Sequence, residues 1–116
     1  MTNYRFENEL EALNWHKTYS FEESAQIKQG FLAKYMDDKW DFVFSNDELL
    51  IYRSWTGIGL YKLEFENLNG SLTVKRALVD SKFLKNFSHD FCATLLNQCI
   101  EFSIFNRTAE SPSWEN

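Results

Sequence analysis

Six consecutive residues, Tyr52-Arg53-Ser54-Trp55-Thr56-Gly57, hold the densest mixture of chemical types in this 116-residue chain. The guanidinium of Arg53 is a planar fork that matches a phosphate or a carboxylate. The Ser54 and Thr56 hydroxyls add donors beside it, and Trp55 can stack on a base or cap a pocket. Together the four suit an anionic, nucleotide-like ligand. The ordinary outcome for such an Arg is a structural salt bridge. Arg53 alternates with Leu49 and Ile51, so it shares their face at a strand end. A buried charge there needs a partner, and Glu22, Glu23 or an acid on a neighbouring strand would supply one.

Other residues offer weaker chemistry. Asp37 and Asp38, with Asp41, could converge on a metal or another cation, as a small metal-assisted hydrolase would need; otherwise they line a solvated turn. His16 and His89, the only histidines, fall in expected loops, and nothing pairs either with a nucleophile. Glu22 and Glu23 read as helix-cap and first-turn acids. Cys92 and Cys99 would share one helical face about 10 Å apart by rise, too far for a disulfide, so they read as buried thiols. The chain has no P-loop, dinucleotide turn, HExxH or GxSxG motif. No catalytic residue, metal site or cofactor is assigned, and the reading leans away from an enzyme.

Composition narrows the partners. A net charge of -5 argues against nucleic acid and against an anionic membrane surface. The one local exception is Lys75, Arg76, Lys82 and Lys85, with Asp80 among them. That group reads as a solvated face or as a contact for an anion or acidic partner. Aromatics are 17% of residues, more than a small interior hides, which favours an exposed binding surface. The opening MTNYRFENELEALNW carries no apolar run and is not a signal peptide. No segment reaches transmembrane length, and a cytoplasmic protein is expected. Matches to the glycosylation pattern at Asn69, Asn86 and Asn106 then read as chance.

The elements that must position these residues follow from period and punctuation. Ser20-Phe21-Glu22-Glu23 is a capping box, and the helix it opens is expected to run to Met36. Phe21, Ala25, Phe31, Leu32, Tyr35 and Met36 would face inward, with Gly30 inside the helix as a close-packing point or a weak spot. Strands follow at Trp40–Ser45, Leu49–Ser54, Ile58–Glu66 and Ser71–Val79, with turns at 46–48, 55–57 and 67–70. Short turns between sequential strands mean an antiparallel meander. Phe83, Leu84 and Phe87 suggest a short helical turn. Ser88 or Asp90 caps a second helix with a stripe of Cys92, Leu95, Leu96, Cys99 and Phe102, ending near Phe105. Residues 1–19 form an arm packed by Trp15, as loop or helical turn.

The fold expected is α+β: a two-layer sandwich, a four-stranded antiparallel meander covered on one face by two helices, in the order α-β-β-β-β-α. The other face, with Lys62, Glu64 and Glu66, would be partly closed by the arm. Residues 1–106 form one domain, and 107–116 a loose tail.

From Leu13 to Phe65 the chain resembles a small, mostly uncharacterised bacterial domain. The resemblance rests on Leu13-Asn14-Trp15, Ser20-Phe21-Glu22-Glu23, Asp37-Asp38-Lys39-Trp40 and Tyr52-Arg53-Ser54-Trp55-Thr56-Gly57. Tyr52 stands where a His often precedes the Arg, and Gly59-Leu60 where the pattern is less small. The resemblance implies an association with ADP-ribose and nucleotide metabolism and brings no activity. The reading is then a non-catalytic module that binds an anionic nucleotide-like or ADP-ribose-like ligand through Arg53, Ser54, Trp55 and Thr56. The alternative is a protein-interaction, immunity or inhibitor protein that meets its partner through an acidic, aromatic-rich surface including Asp37, Asp38 and Asp41. Where the Arg53 guanidinium lies, and against what, separates these readings.

Overall fold

Two tight turns shape the sheet. A computed structural model describes residues 3–35 and 38–109. In it Asn46 and Asp47 take φ of 53° and 58°, and Asn69 and Gly70 take 54° and 91°. Two successive positive-φ residues give the hairpin turn whose twist matches paired strands, and Asn, Asp and Gly tolerate it best. The first turn joins β2 (Trp40–Ser45) to β3 (Glu48–Arg53), and the second joins β4 (Gly59–Leu68) to β5 (Ser71–Asp80). These four strands form the expected antiparallel meander.

Among the described residues the sheet has a fifth strand, which corrects the count of four. β1 (Leu10–Leu13) pairs antiparallel with β5, and the order is β1-β5-β4-β3-β2. Only Leu13 of its four residues is buried, so it carries almost no strand signal of its own. The open edge of β5 recruits it through backbone bonds. The same edge takes the next segment, through Tyr19 N–H to Leu72 O (2.8 Å) and Val74 N–H to Lys17 O (2.9 Å). The leading arm is thus sheet edge rather than loop or helical turn.

The first helix is shorter than its periodicity suggests. α1 spans Phe21–Gln29, not Ser20 to Met36. Its capping box is as read, with Ser20 Oγ accepting from Glu23 N–H (3.1 Å) and Glu23 Oε1 from Ser20 N–H (2.9 Å). It stops at Gly30, where φ is 68° and a Cβ would lie 2.5 Å from the Phe42 carbonyl oxygen. The chain then bonds the sheet edge, Phe31 N–H to Phe42 O (3.0 Å) and Phe42 N–H to Phe31 O (2.7 Å). Satisfying that edge wins over further helix, and Leu32 and Tyr35, read as inward-facing, are exposed. Met36 lies outside the described residues.

Among the described residues there are three helices rather than two. α2 (Ser81–Asn86) is capped by Asp80 and α3 (His89–Ser103) by Ser88. The element order is therefore β-α-β-β-β-β-α-α. α3 buries Cys92, Leu96, Cys99 and Ile100. Phe102, read as part of that stripe, stays 65% exposed because the arc is centred on Leu96 and Ile100.

Cross-strand register places Phe42, Ile51, Tyr61 and Val79 in one row, and this face packs under α1 and α3. The Tyr61 hydroxyl donates to Cys92 O (2.8 Å), anchoring α3 to the sheet. On the opposite face Lys62 sits between Glu48 (3.5 Å) and Glu64 (3.9 Å). The N-terminal arm closes part of that face. The Tyr4 ring stacks on Tyr52 at 4.5 Å, and its hydroxyl donates to Asp41 Oδ2 (2.8 Å). Arg107, placed in the expected loose tail, bonds into the fold through Glu23 (2.7 Å); residues 110–116 lie outside the described residues. Among the described residues no helix is long and apolar enough to cross a membrane.

Candidate functional site

A bulge creates the setting. Ile51 pairs with Tyr61, but Tyr52 pairs with Gly59, so Leu60 has no partner across the ladder. Such an extra residue bends the strand and raises its twist. Arg53 then closes the turn into β4, its N–H bonded to Ile58 O (2.9 Å) and its carbonyl accepting from Gly57 N–H (2.7 Å). Gly57 supplies the positive φ (76°) that this turn requires.

The N-terminal arm locks onto this turn. Arg5 N–H donates to Gly57 O (2.9 Å), and Gly59 N–H donates to Arg5 O (2.7 Å). Phe6 lies so close over Gly59 that a Cβ there would fall 2.4 Å from its ring. Further along the arm Asn8 meets the end of β5, its Nδ2 donating to Asp80 Oδ2 (2.9 Å). Asp80 Oδ1 accepts from Phe83 N–H (3.0 Å), capping α2.

Arm, turn and α2 together line an open cleft of about 220 Å³. Its charged walls are Arg53 and Lys82 on one side of the balance and Glu7 and Asp80 on the other. The Arg53 guanidinium lies 5.5 Å from the Trp40 ring centroid, a cation–π contact. Among the described residues no carboxylate is in ion-pair reach of Arg53 or Lys82. Glu23, read as a partner for Arg53, is bonded to Ser20 and Arg107 instead. Arg53 stands on the helix side of the sheet but is exposed rather than buried, so its charge is hydrated and does not require the carboxylate that a buried charge would. Burial pushes the Cys99 thiol up to about 12, with the nearby Lys39 and Arg53 charges opposing it.

The other expected ligand residues go elsewhere. Ser54 Oγ donates to Asp38 O (2.9 Å), and Thr56 Oγ1 accepts from Ile58 N–H (3.2 Å). Trp55 is 70% exposed. None of the three lines the cavity, so of the four only Arg53 belongs to it. Reading the chain missed Glu7, Asn8 and Asn86 and did not join Asp80 and Lys82 to Arg53. The mixed charge run around Asp80 was the one available signal, since a run of basic residues broken by a single acid marks a place where charge is balanced locally.

Asp38 and Asp41 both spend their carboxylates on backbone amides. Asp38 Oδ2 accepts from Lys34 N–H (2.9 Å) and Tyr35 N–H (3.2 Å), which builds a turn. Asp41 is 4% exposed and accepts from Ala33 N–H (2.7 Å) and the Tyr4 hydroxyl. Burial, and then that bond to Asp41, pushes the Tyr4 phenol up to about 12. Asp37 lies outside the described residues. Among the described residues no group of His, Cys, Asp and Glu could hold a metal. Cys92 and Cys99 are buried free thiols; burial pushes Cys92 up to about 11.

Comparison of the chain with known protein families, with curated proteins and with solved structures finds no match.

Proposed function

We propose that this chain is a non-catalytic binding module for a small anionic ligand, held in the cavity between the β3–β4 turn, the arm and α2. The observation that carries this is Arg53: it lines a cavity, rests on Trp40, and has no carboxylate in ion-pair reach among the described residues. Arg53 is exposed, so water solvates its charge, and its fork, supported on a ring and not neutralised by an acid, is open to a carboxylate or phosphate that enters the cleft. Lys82 adds a second positive charge in the same walls.

Size narrows the ligand. Pockets for whole drug-sized or cofactor-sized molecules are roughly 300–1,000 Å³, and this one is about 220 Å³. It suits a small acid or the anionic end of a larger molecule, so a nucleotide or ADP-ribose would enter by a phosphate and leave its base outside. Thermal-shift and calorimetric titration with phosphate, small carboxylates, sugar phosphates and ADP-ribose tests the reading. Saturation at 100 times Kd stabilises by about 2.7 kcal/mol. Arg53→Ala should lose that stabilisation while melting like the unmodified chain. No stabilisation by any anion, or full binding by Arg53→Ala, rejects it.

A second reading, partner recognition, draws on one corner. Tyr35 and Asp38 are bonded through the backbone, and Ser54 bonds both Asp38 and Lys39. Two exposed aromatics, Tyr35 (74%) and Trp55 (70%), therefore share this corner. Its contact would be aromatic rather than acidic, because the Asp38 and Asp41 carboxylates are occupied. A Trp55→Ala, Tyr35→Ala double variant that recovers the same proteins from a host lysate as the unmodified chain would reject it.

A further inference from the structure

The geometry points to a zwitterion as the ligand of this cavity: a small molecule with a primary ammonium and an acid group a few atoms apart, of the α-amino-acid class. The inference rests on the binding reading above and names what that site selects.

Asp80 carries the argument. It is 5% exposed, and its two hydrogen bonds come from neutral donors, the Asn8 amide and the Phe83 backbone. Among the described residues no cation is in ion-pair reach of it. Capping a helix does not require a charge, since Ser or Asn caps as well as Asp. Burying an ionised carboxylate without a counter-charge is costly. An ionised carboxylate has about four acceptor sites, and among the described residues two donors reach it. Glu7, in the same walls, uses Oε2 on Arg5 (3.1 Å).

Arg53 and Lys82 hold the opposite charge in the same 220 Å³ cavity. Cations and carboxylates thus line one space without closing on each other. An anion alone leaves Asp80 and Glu7 unmatched and binds more weakly, and a cation alone leaves Arg53 and Lys82 unmatched. A zwitterion satisfies both sets at once. Its acid group goes to Arg53 and Lys82, its ammonium to Asp80 and Glu7, and its side chain to the apolar wall of Ile58, Leu60 and Phe83.

The test is calorimetric titration of the full chain with the common α-amino acids, each compared with its N-acetyl form (anion only) and its amide (cation only). One or a few amino acids should bind, and both blocked forms should bind about tenfold or more weakly, the scale of one lost charge-assisted bond. Asp80→Asn keeps the helix cap, and it should bring the amino acid down to the affinity of its N-acetyl form. Equal binding of the N-acetyl form, or undiminished amino-acid binding by Asp80→Asn, overturns the zwitterion and leaves the anion site standing. Phosphate binding with no amino-acid binding does the same. Binding of nothing in either panel overturns both readings. The blocked-ligand comparison uses the unmodified chain, so it decides even where Asp80→Asn fails to fold.

Discussion

The two ends of the β4–β5 hairpin each present an arginine against an aromatic ring, and they use it differently. At the end near the Asn69-Gly70 turn, Arg107 lies 4.6 Å from the Phe105 ring centroid. Its Nη1 is 2.7 Å from Glu23 Oε2 and 3.7 Å from Glu101 Oε1, so it ties the start of α1 to the end of α3. At the opposite end Arg53 lies over Trp40, yet among the described residues no acid closes on it. The residue type and its aromatic support are the same, but the fold delivers acids to one and a cavity to the other. Whether an arginine is structural or available is decided by what tertiary packing brings to it.

Substitutions at the two ends should separate along that line. The largest effect belongs to the closed end. Ser24 is fully buried, with its hydroxyl accepting from Leu72 N–H (2.9 Å) and donating to Tyr19 O (3.4 Å). Ser24→Ala strands that N–H, and urea unfolding should show a loss of about 1–3 kcal/mol. Arg53→Ala in the same assay should stay within about 0.5 kcal/mol. Equal losses would erase the contrast.

A smaller effect is expected for Arg107→Ala. Melting temperature should fall at low salt, and the difference should shrink as salt screens the exposed pair. Acid unfolding sharpens this. The Ser20 backbone N–H, and then Arg107, hold the Glu23 carboxyl below its ordinary value. A folded-state pKa below the unfolded one gives stability that is present above the unfolded carboxylate value and lost as pH falls through the folded one. Glu23→Gln should flatten that acid limb, and Arg53→Ala should leave it unchanged. The smallest signal is expected between the two ends. Cys92 and Cys99 have thiols raised to about 11 and about 12, so alkylation at pH 8 should be negligible until the chain unfolds. Rapid labelling of the folded chain would mean that α3 opens locally.

Much of the frame was readable. The capping box at Ser20, the four strands from Trp40 to Val79, a cap at Ser88 or Asp90 and the buried cysteines all follow from short-range pattern. The failures share a cause. Leu10–Leu13 is a strand only because the β5 edge needs bonds, and α1 ends at Gly30 only because Phe31 finds the β2 edge. Edge demand comes from distant chain, and local periodicity does not encode it. The candidate site divides in the same way. Arg53 stood out by type and position, but Ser54 and Thr56 spend their hydroxyls on local turns, where such side chains commonly compete for backbone groups. Glu7 and Asn8 carried no signal at all, being brought in by an arm bonded to residues some fifty positions away.

By itself, then, the sequence determined the start of α1, the strands of the antiparallel meander with their two tight turns, the helix that carries the cysteines and the presence of an arginine at the strand end. Those rest on φ preferences, period and capping, which act within a few residues. The tertiary structure alone decided that Glu23 goes to Arg107, that no described carboxylate closes on Arg53, and that a buried Asp80 lines the same cleft. Those are pairings of charge across the fold, and they depend on distances that only packing sets.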